Sequence, residues 1–315
     1  MNKIARTSGK KWGEVLVLVA VWAGLIALFS LLRASFFTTG TLGSIANRLP
    51  ALAVVATGMT VVMITGGIDL SVGSVLGLCG AVTGVMMVDH HWPLSAALMA
   101  AMSAGAIIGW INGAVSVKLR LPSFIVTLGM LEIARGLAFE VTGSETKYIG
   151  AAVESLGAPI PGFLLSPAFV IALAVIVMGQ VMLSHTALGR HLIALGANRE
   201  AAEISGVRTE PPRIFMHVLL GLLTGLAAVF NCSRLGSADP NAGVGFELSA
   251  IAAAVVGGTS LMGGRGSVVK TFLGVLIIAT LEAGLVQVGV SEPMKRIVTG
   301  SVIVLAVLAD GWRRR

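Results

Sequence analysis

The run Val15-Leu16-Val17-Leu18-Val19-Ala20-Val21-Trp22-Ala23-Gly24-Leu25-Ile26-Ala27-Leu28-Phe29-Ser30-Leu31-Leu32 decides the fold. It carries no charge, and as a helix it is long enough to cross most of the ~30 Å hydrocarbon core of a bilayer. Lys3, Arg6, Lys10 and Lys11 precede it. A secretory leader has a shorter apolar core and ends in a small-x-small cleavage site. Arg33-Ala34-Ser35-Phe36 is a poor site, so the run reads as a retained first membrane helix.

The rest of the chain repeats this pattern. Of 315 residues, 56% are apolar and 12% charged, with a mean hydropathy of +0.92. A soluble domain carries about 25% charge because water wets its surface, so much of this surface faces something other than water. Further apolar stretches lie at about 50–65, 72–88, 93–115, 123–141, 163–183, 214–231, 247–262, 267–289 and 297–310. The expectation is an all-α integral membrane protein of about ten transmembrane helices. The second and eighth stretches are short enough to be broken or re-entrant.

Basic residues in short loops set orientation, the cytoplasmic side carrying the excess. With the N-terminus in the cytoplasm, 14 of the 22 Lys and Arg fall on that side and six outside, while Arg135 and Lys270 lie within spans. Both tails, 1–13 and 311–315, are then cytoplasmic, and 14–310 forms one transmembrane domain. The net charge of +7 is thereby topogenic, and nucleic-acid binding drops out. Gly105/Gly109/Gly113 and Gly221/Gly225 have the small-xxx-small spacing that lets helix backbones approach closely in lipid. Cys79 and Cys232 stand apart and the histidines form no ligand set, so no disulfide, metal or other cofactor is expected.

Four stretches are too polar or too glycine-rich for plain spans. In Thr65-Gly66-Gly67-Ile68-Asp69-Leu70-Ser71-Val72-Gly73-Ser74, the glycines can break a helix and Asp69, Ser71 and Ser74 can cap a new one. The alternative is a carboxylate on a substrate path, since ionisable groups at membrane depth are rarely idle. The second stretch, Gly189–Val207, lies in the longest cytoplasmic loop, about 184–213. There Asn198 reads as the N-cap of a helix over Arg199–Ser205 closed by Gly206, with Ile193, Leu195 and Ile204 as apolar contacts. Ordered amphipathic structure on that face suggests docking to a partner. The other two stretches are Asp239–Ser249 and Val256–Ser267. Gly264–Thr271 lacks the glycine before its lysine and follows no strand, so it is not a phosphate loop. Any ATP that powers transport must be bound by another chain.

Together these pieces resemble the permeases of sugar-importing ABC transporters, the ribose-type family within the larger group that also holds branched-chain amino acid permeases. The matching pieces include Gly58-Met59-Thr60, Gly67–Ser74, Thr127-Leu128-Gly129, Arg135-Gly136, Leu188-Gly189-Arg190 and Ala194-Leu195-Gly196. They continue with Asn198, Ala201-Ala202, Ser205-Gly206-Val207, Phe246-Glu247-Leu248, Gly257–Ser260, Gly263–Gly266 and Gly289-Val290-Ser291. They run in the family's order from about residue 36 to the C-terminus. Glu132 and Glu282 depart from the family's pattern, which has a small or polar residue and an asparagine near those positions.

The resemblance implies a type II importer fold, a second permease subunit, two cytoplasmic ABC ATPases and an extracytoplasmic sugar-binding protein. The implied location is a bacterial inner membrane. Asp69, Ser71, Asn112, Arg135 and Glu247 are the expected path or helix-break residues. Gly189, Arg190, Ala194, Gly196, Asn198, Ala201, Ala202, Ser205 and Gly206 are expected to contact the ATPase. An ion-coupled transporter using Glu132, Glu140 and Glu282 is the alternative, although Glu132 and Arg135, three apart on one helix, suit an internal ion pair.

Overall fold

A computed structural model describes residues 2–312, with side chains from Trp12 to Leu308. Arg313, Arg314 and Arg315, and the side chains of Lys3, Arg6, Lys10 and Lys11, lie outside the described residues, and so does the evidence for two basic tails.

The described chain is almost wholly helical. In order come α1 (Asn2–Leu32), α2 (Thr39–Ile64), α3 (Val72–Val88), α4 (Leu94–Lys118), α5 (Ser123–Thr142) and the short α6 (Ala151–Glu154). There follow α7 (Pro167–His185), α8 (Ala187–Ala197), α9 (Arg199–Ile204), α10 (Glu210–Leu235), α11 (Phe246–Val256), α12 (Val268–Val288) and α13 (Glu292–Trp312). Two loops join in a two-residue antiparallel ladder, β1 (Lys147–Tyr148) with β2 (Ser237–Ala238).

Among the described residues, six helices are long and apolar enough to cross a membrane: α1 from Trp12, α2, α4, α7, α10 and α12. The shorter α3 and α11 are also apolar. α11 has 11 residues, about 16 Å of helix, less than a full crossing, as its short apolar stretch suggested. The other short stretch is corrected. α2 does not begin near residue 50 but runs 26 residues from Thr39 straight through Pro50. Proline there removes one backbone donor, and the burial of nearly every residue from Leu49 to Ile64 holds the helix together regardless.

That burial makes α2 the axis of the bundle. A helix apolar on all sides belongs in the interior, and α7, α10, α11 and α12 surround this one. α10 lies along α4 at the glycine seam, where a Cβ on Gly221 would overlap the carbonyl of Gly105, and a Cβ on Gly105 that of Gly221. α3 sits between α4, α5 and α10. α1 leans on α12 from outside. Its Trp22 Nε1 donates to Thr280 Oγ1 at 3.0 Å, and Glu14 pairs with Lys270 at 2.7 Å. The lysine within a span thus has its counter-ion on the neighbouring helix.

Candidate functional site

The chain breaks after α2 where the glycines predicted. Gly66 takes φ +80°, and the segment to Ser71 runs without regular structure. Its backbone donors are met by hydroxyls from the first turns of α5. Ile68 N donates to Ser123 Oγ at 2.9 Å and Leu70 N to Thr127 Oγ1 at 3.0 Å. Asp69 closes the turn. Its Oδ1 accepts from the Ser71 amide (2.8 Å) and hydroxyl (2.6 Å), and its Oδ2 accepts from Asn112 Nδ2 (3.2 Å). Asn112 Nδ2 also donates to Ser71 Oγ at 3.0 Å.

Asp69, Ser71 and Asn112, widely separated in sequence, therefore form one cluster. It is sealed: Asp69 is 3% exposed and Asn112 not at all. Asn112 Oδ1 has no protein partner among the described residues. It lies at a cavity of about 10 Å³ bounded by Ile108, Leu220 and Thr224. The Ser71 hydroxyl serves the cluster and makes no cap bond to the α3 amides.

Arg135 and Glu247 stand apart from that cluster. Arg135 Nη1 reaches across Gly77 of α3 to the carbonyls of Pro240 (2.6 Å) and Ala242 (2.9 Å). Glu247, in the first turn of α11, lies against Gly73. The pair brackets the 239–245 loop on the glycine face of α3. The expected Glu132–Arg135 ion pair is absent among the described residues, because two loop carbonyls hold the guanidinium.

The second break, Gly257–Ser267, is built from backbone and threonine contacts. Gly264 N donates to Ile64 O at 2.9 Å, which joins this break to the first. Thr60 and Thr271 share a hydrogen bond at 2.7 Å, with Thr259 3.4 Å from Thr271. Ser267 caps α12, and Gln180 Oε1 accepts from both its hydroxyl and the Val269 amide, each at 3.1 Å.

Against this second break rests the α8–α9 pair. Asn198 ends α8 and caps α9, its Oδ1 accepting from Ala201 N at 3.0 Å. The helix stops at Gly206, φ +80°, within a residue of the reading from sequence. The direction of its faces differs from expectation. Leu192, Leu195, Gly189 and Ala202 turn inward and are buried. A Cβ on Gly196 would strike the Ile64 carbonyl and the Gly264 amide, so Gly196 is a contact inside the protein. Ile193 and Ile204, the second 81% exposed, face out with Arg190, Ala194, Asn198, Ala201, Ser205 and Gly206. Next to them opens a groove of about 690 Å³ lined by Arg120, Arg199, Glu200, Glu203, Arg208 and Glu210. The Glu203 carboxyl sits below the ordinary carboxylate range, first because Thr209 Oγ1 donates to it (2.7 Å) and then because Arg199 does (2.8 Å).

Sequence reasoning passed over one further feature. At the opposite end of the bundle from α8–α9, a cavity of about 200 Å³ opens between α2, α10, α11 and α12. Arg48, Asn231, Arg234, Phe246, Ser249 and Glu282 line it. Arg48 and Arg234 had counted only as topogenic charges. The one available signal was the departure at Glu282.

Residues 41–307 match the family described as branched-chain amino acid transport system / permease component. The ribose import permease protein of Escherichia coli K12 is 40% identical over 301 residues, 92% of this chain and 91% of its own. That of Bacillus subtilis 168 is 40% identical over 295 residues, 91% and 89% of the two chains. The fructose import permease protein of Rhizobium meliloti is 33% identical over 309 residues, 95% and 85%. No solved structure matches the chain. A match across most of the chain, on a bundle with six helices long and apolar enough to cross a membrane among the described residues, means that the chain belongs to this family of membrane permease components, among its ribose-type members.

Proposed function

We propose that this protein is the permease subunit of an ATP-binding cassette importer and forms the path for a monosaccharide, ribose or a related pentose or hexose. The observation that carries this is 40% identity to a ribose import permease over 92% of the chain. An extracytoplasmic binding protein would deliver the sugar, and a second permease subunit would complete the path. ATP hydrolysis would take place in a separate cytoplasmic chain, and the permease itself would be non-catalytic.

In this reading α1, α2, α3, α4, α5, α7, α10, α11, α12 and α13 are ten membrane-crossing or membrane-embedded elements. Residues 14–310 are one transmembrane domain, with the tails 1–13 and 311–315 cytoplasmic. The loop 184–213, containing α8 and α9, is the coupling element, and its outward residues Arg190, Ala194, Asn198, Ala201, Ser205 and Gly206 meet the ATPase. Gly189, Gly196 and Ala202 support that surface from behind. Asp69, Ser71 and Asn112 hold the first helix break, and Arg135 with Glu247 holds the outer loop, so all five act as supports of the path.

The test is uptake of labelled D-ribose and D-fructose by the complete transporter, before and after collapse of the proton and sodium gradients. Uptake that needs ATP and survives the collapse is expected. Uptake that vanishes with an ion gradient, without an associated ATPase, would overturn the reading in favour of ion coupling. That alternative is not favoured: Glu132 and Glu140 are exposed on α5, and Lys270 is paired with Glu14.

A further inference from the structure

We infer that the cavity between α2, α10, α11 and α12 is a contact station for a neutral monosaccharide at the outer mouth of the path, with Glu282, Arg48 and Arg234 reading its hydroxyls. The inference rests on the proposed transport function and deepens it.

Three ionisable side chains from three different helices turn toward one cavity of about 200 Å³. A charge facing hydrocarbon is costly, and such groups mark water-filled or substrate-bearing space. Among the described residues the three form no ion pair with one another. They are therefore not a structural bridge whose needs are met internally. Arg234 Nη2 donates to Asn231 Oδ1 at 3.1 Å, which fixes that amide and leaves its NH₂ group as a donor. The Ser249 hydroxyl faces the Glu282 carboxylate, and Arg48 and Lys295 lie near enough to act on its charge. Lys295 is held by Glu292 on its own helix.

The set thus offers donors from the two arginines and the Asn231 amide, acceptor oxygens from the Glu282 carboxyl, and both from Ser249. A sugar hydroxyl donates one hydrogen bond while accepting another, so a pair of neighbouring hydroxyls suits this alternation. The Phe246 ring supplies an apolar wall for the C–H face. The space is smaller than the ~300–1,000 Å³ of drug-sized pockets, in keeping with a single sugar ring.

Glu282→Gln preserves shape and replaces one carboxyl oxygen with an NH₂ group. In the complete transporter, uptake of labelled D-ribose or D-fructose at low concentration should fall about tenfold, as expected for the loss of one hydrogen bond. Assembled protein should be unchanged. Ala283→Cys, at the cavity wall, should react with a membrane-impermeant maleimide from outside, because the native Cys79 and Cys232 are buried. Saturating transported sugar should slow that reaction.

Wild-type uptake by Glu282→Gln, or labelling of Ala283→Cys indifferent to sugar, would each overturn this inference and leave the transport reading standing. A wild-type transporter that carries no neutral sugar would instead remove the transport reading, and this inference with it.

Discussion

The bundle is interrupted twice at the same end, after α2 and after α11, and the two breaks are held together by different chemistry. The first is held by side chains. Asp69, Ser71, Asn112, Ser123 and Thr127 supply the partners that the unwound backbone and the carboxylate need. The second is held largely by backbone on backbone, with Gly264 N on Ile64 O and Gly196 seated against both. Buried polar groups must find partners wherever they are, but these two solutions fail in different ways. The first is sensitive to chemistry and tolerant of small volume changes. The second is sensitive to volume, because backbone atoms cannot move aside as the end of a side chain can.

Gly196→Trp breaks this comparison hardest. Even a Cβ at that position meets the Ile64 carbonyl and the Gly264 amide, so an indole must separate α8 from both breaks. Overpacking costs on the order of 1–3 kcal/mol and sometimes more, and losses of that size change abundance several-fold. Assembled protein in the membrane should therefore fall several-fold at least, as measured by detergent-resistant monodisperse material. Normal assembly of Gly196→Trp would mean that α8 does not rest on the breaks. Reading outward from the sequence, this glycine belonged to a surface meeting the ATPase, and its loss would have left the bundle intact.

Asp69→Ala attacks the first break by chemistry. It leaves the Ser71 amide and hydroxyl and one Asn112 amide donor to find other partners, at about 1–3 kcal/mol for each one left unsatisfied. Assembled protein should fall, with uptake falling in proportion. Asp69→Asn, which keeps the Oδ1 acceptor for Ser71, should recover part of both. A loss of uptake per assembled molecule well beyond the loss of protein would show that Asp69 meets the substrate, despite its burial in this state.

What could be read from sequence follows the same divide. The helices were legible because uncharged runs in a bilayer have few other options. α9 was legible because Asn198 and Gly206 are local signals that act on their own backbone. Which face of α8 points inward was not legible, since Gly196 differs from Ala194 only in what another segment, far away in sequence, places beside it. The convergence of Arg48, Asn231, Arg234, Ser249 and Glu282 on one cavity was hidden for the same reason: they come from four helices, and no local spacing records their meeting. α2 was read too short because its first turns, Thr39 to Arg48, are polar and glycine-bearing, so hydropathy alone starts the segment only after Arg48.

Ala201→Trp sharpens the comparison from the outside. Ala201 is exposed on α9, where surface substitutions usually change stability by no more than about 0.5 kcal/mol. Assembly should be unaffected, while co-purification of the ATPase and ATP-driven uptake should both drop. Retention of both would remove the outward face of α9 from the coupling surface.

The smallest effect is expected from pH at Glu203, and its sign follows from the direction of the shift. The folded carboxyl is held below its ordinary value, first by Thr209 and then by Arg199. Its ionised form therefore favours the ordered segment from Arg199 to Thr209 at pH values above the unfolded carboxylate value of about 4.3. That contribution fades only as pH falls through the lower folded value. Near neutrality the segment should be insensitive to pH, and its amide-exchange protection should decline only in clearly acidic buffer. Thr209→Val removes the larger cause and should move the onset of that decline to higher pH, while Arg199→Gln should move it less. Because the pair is exposed, salt and solvent screen it, and neither variant should change assembly or uptake at neutral pH. An equal shift from both variants would contradict the ranking of the two causes. A decline beginning near neutrality would mean that a group other than Glu203 orders the loop.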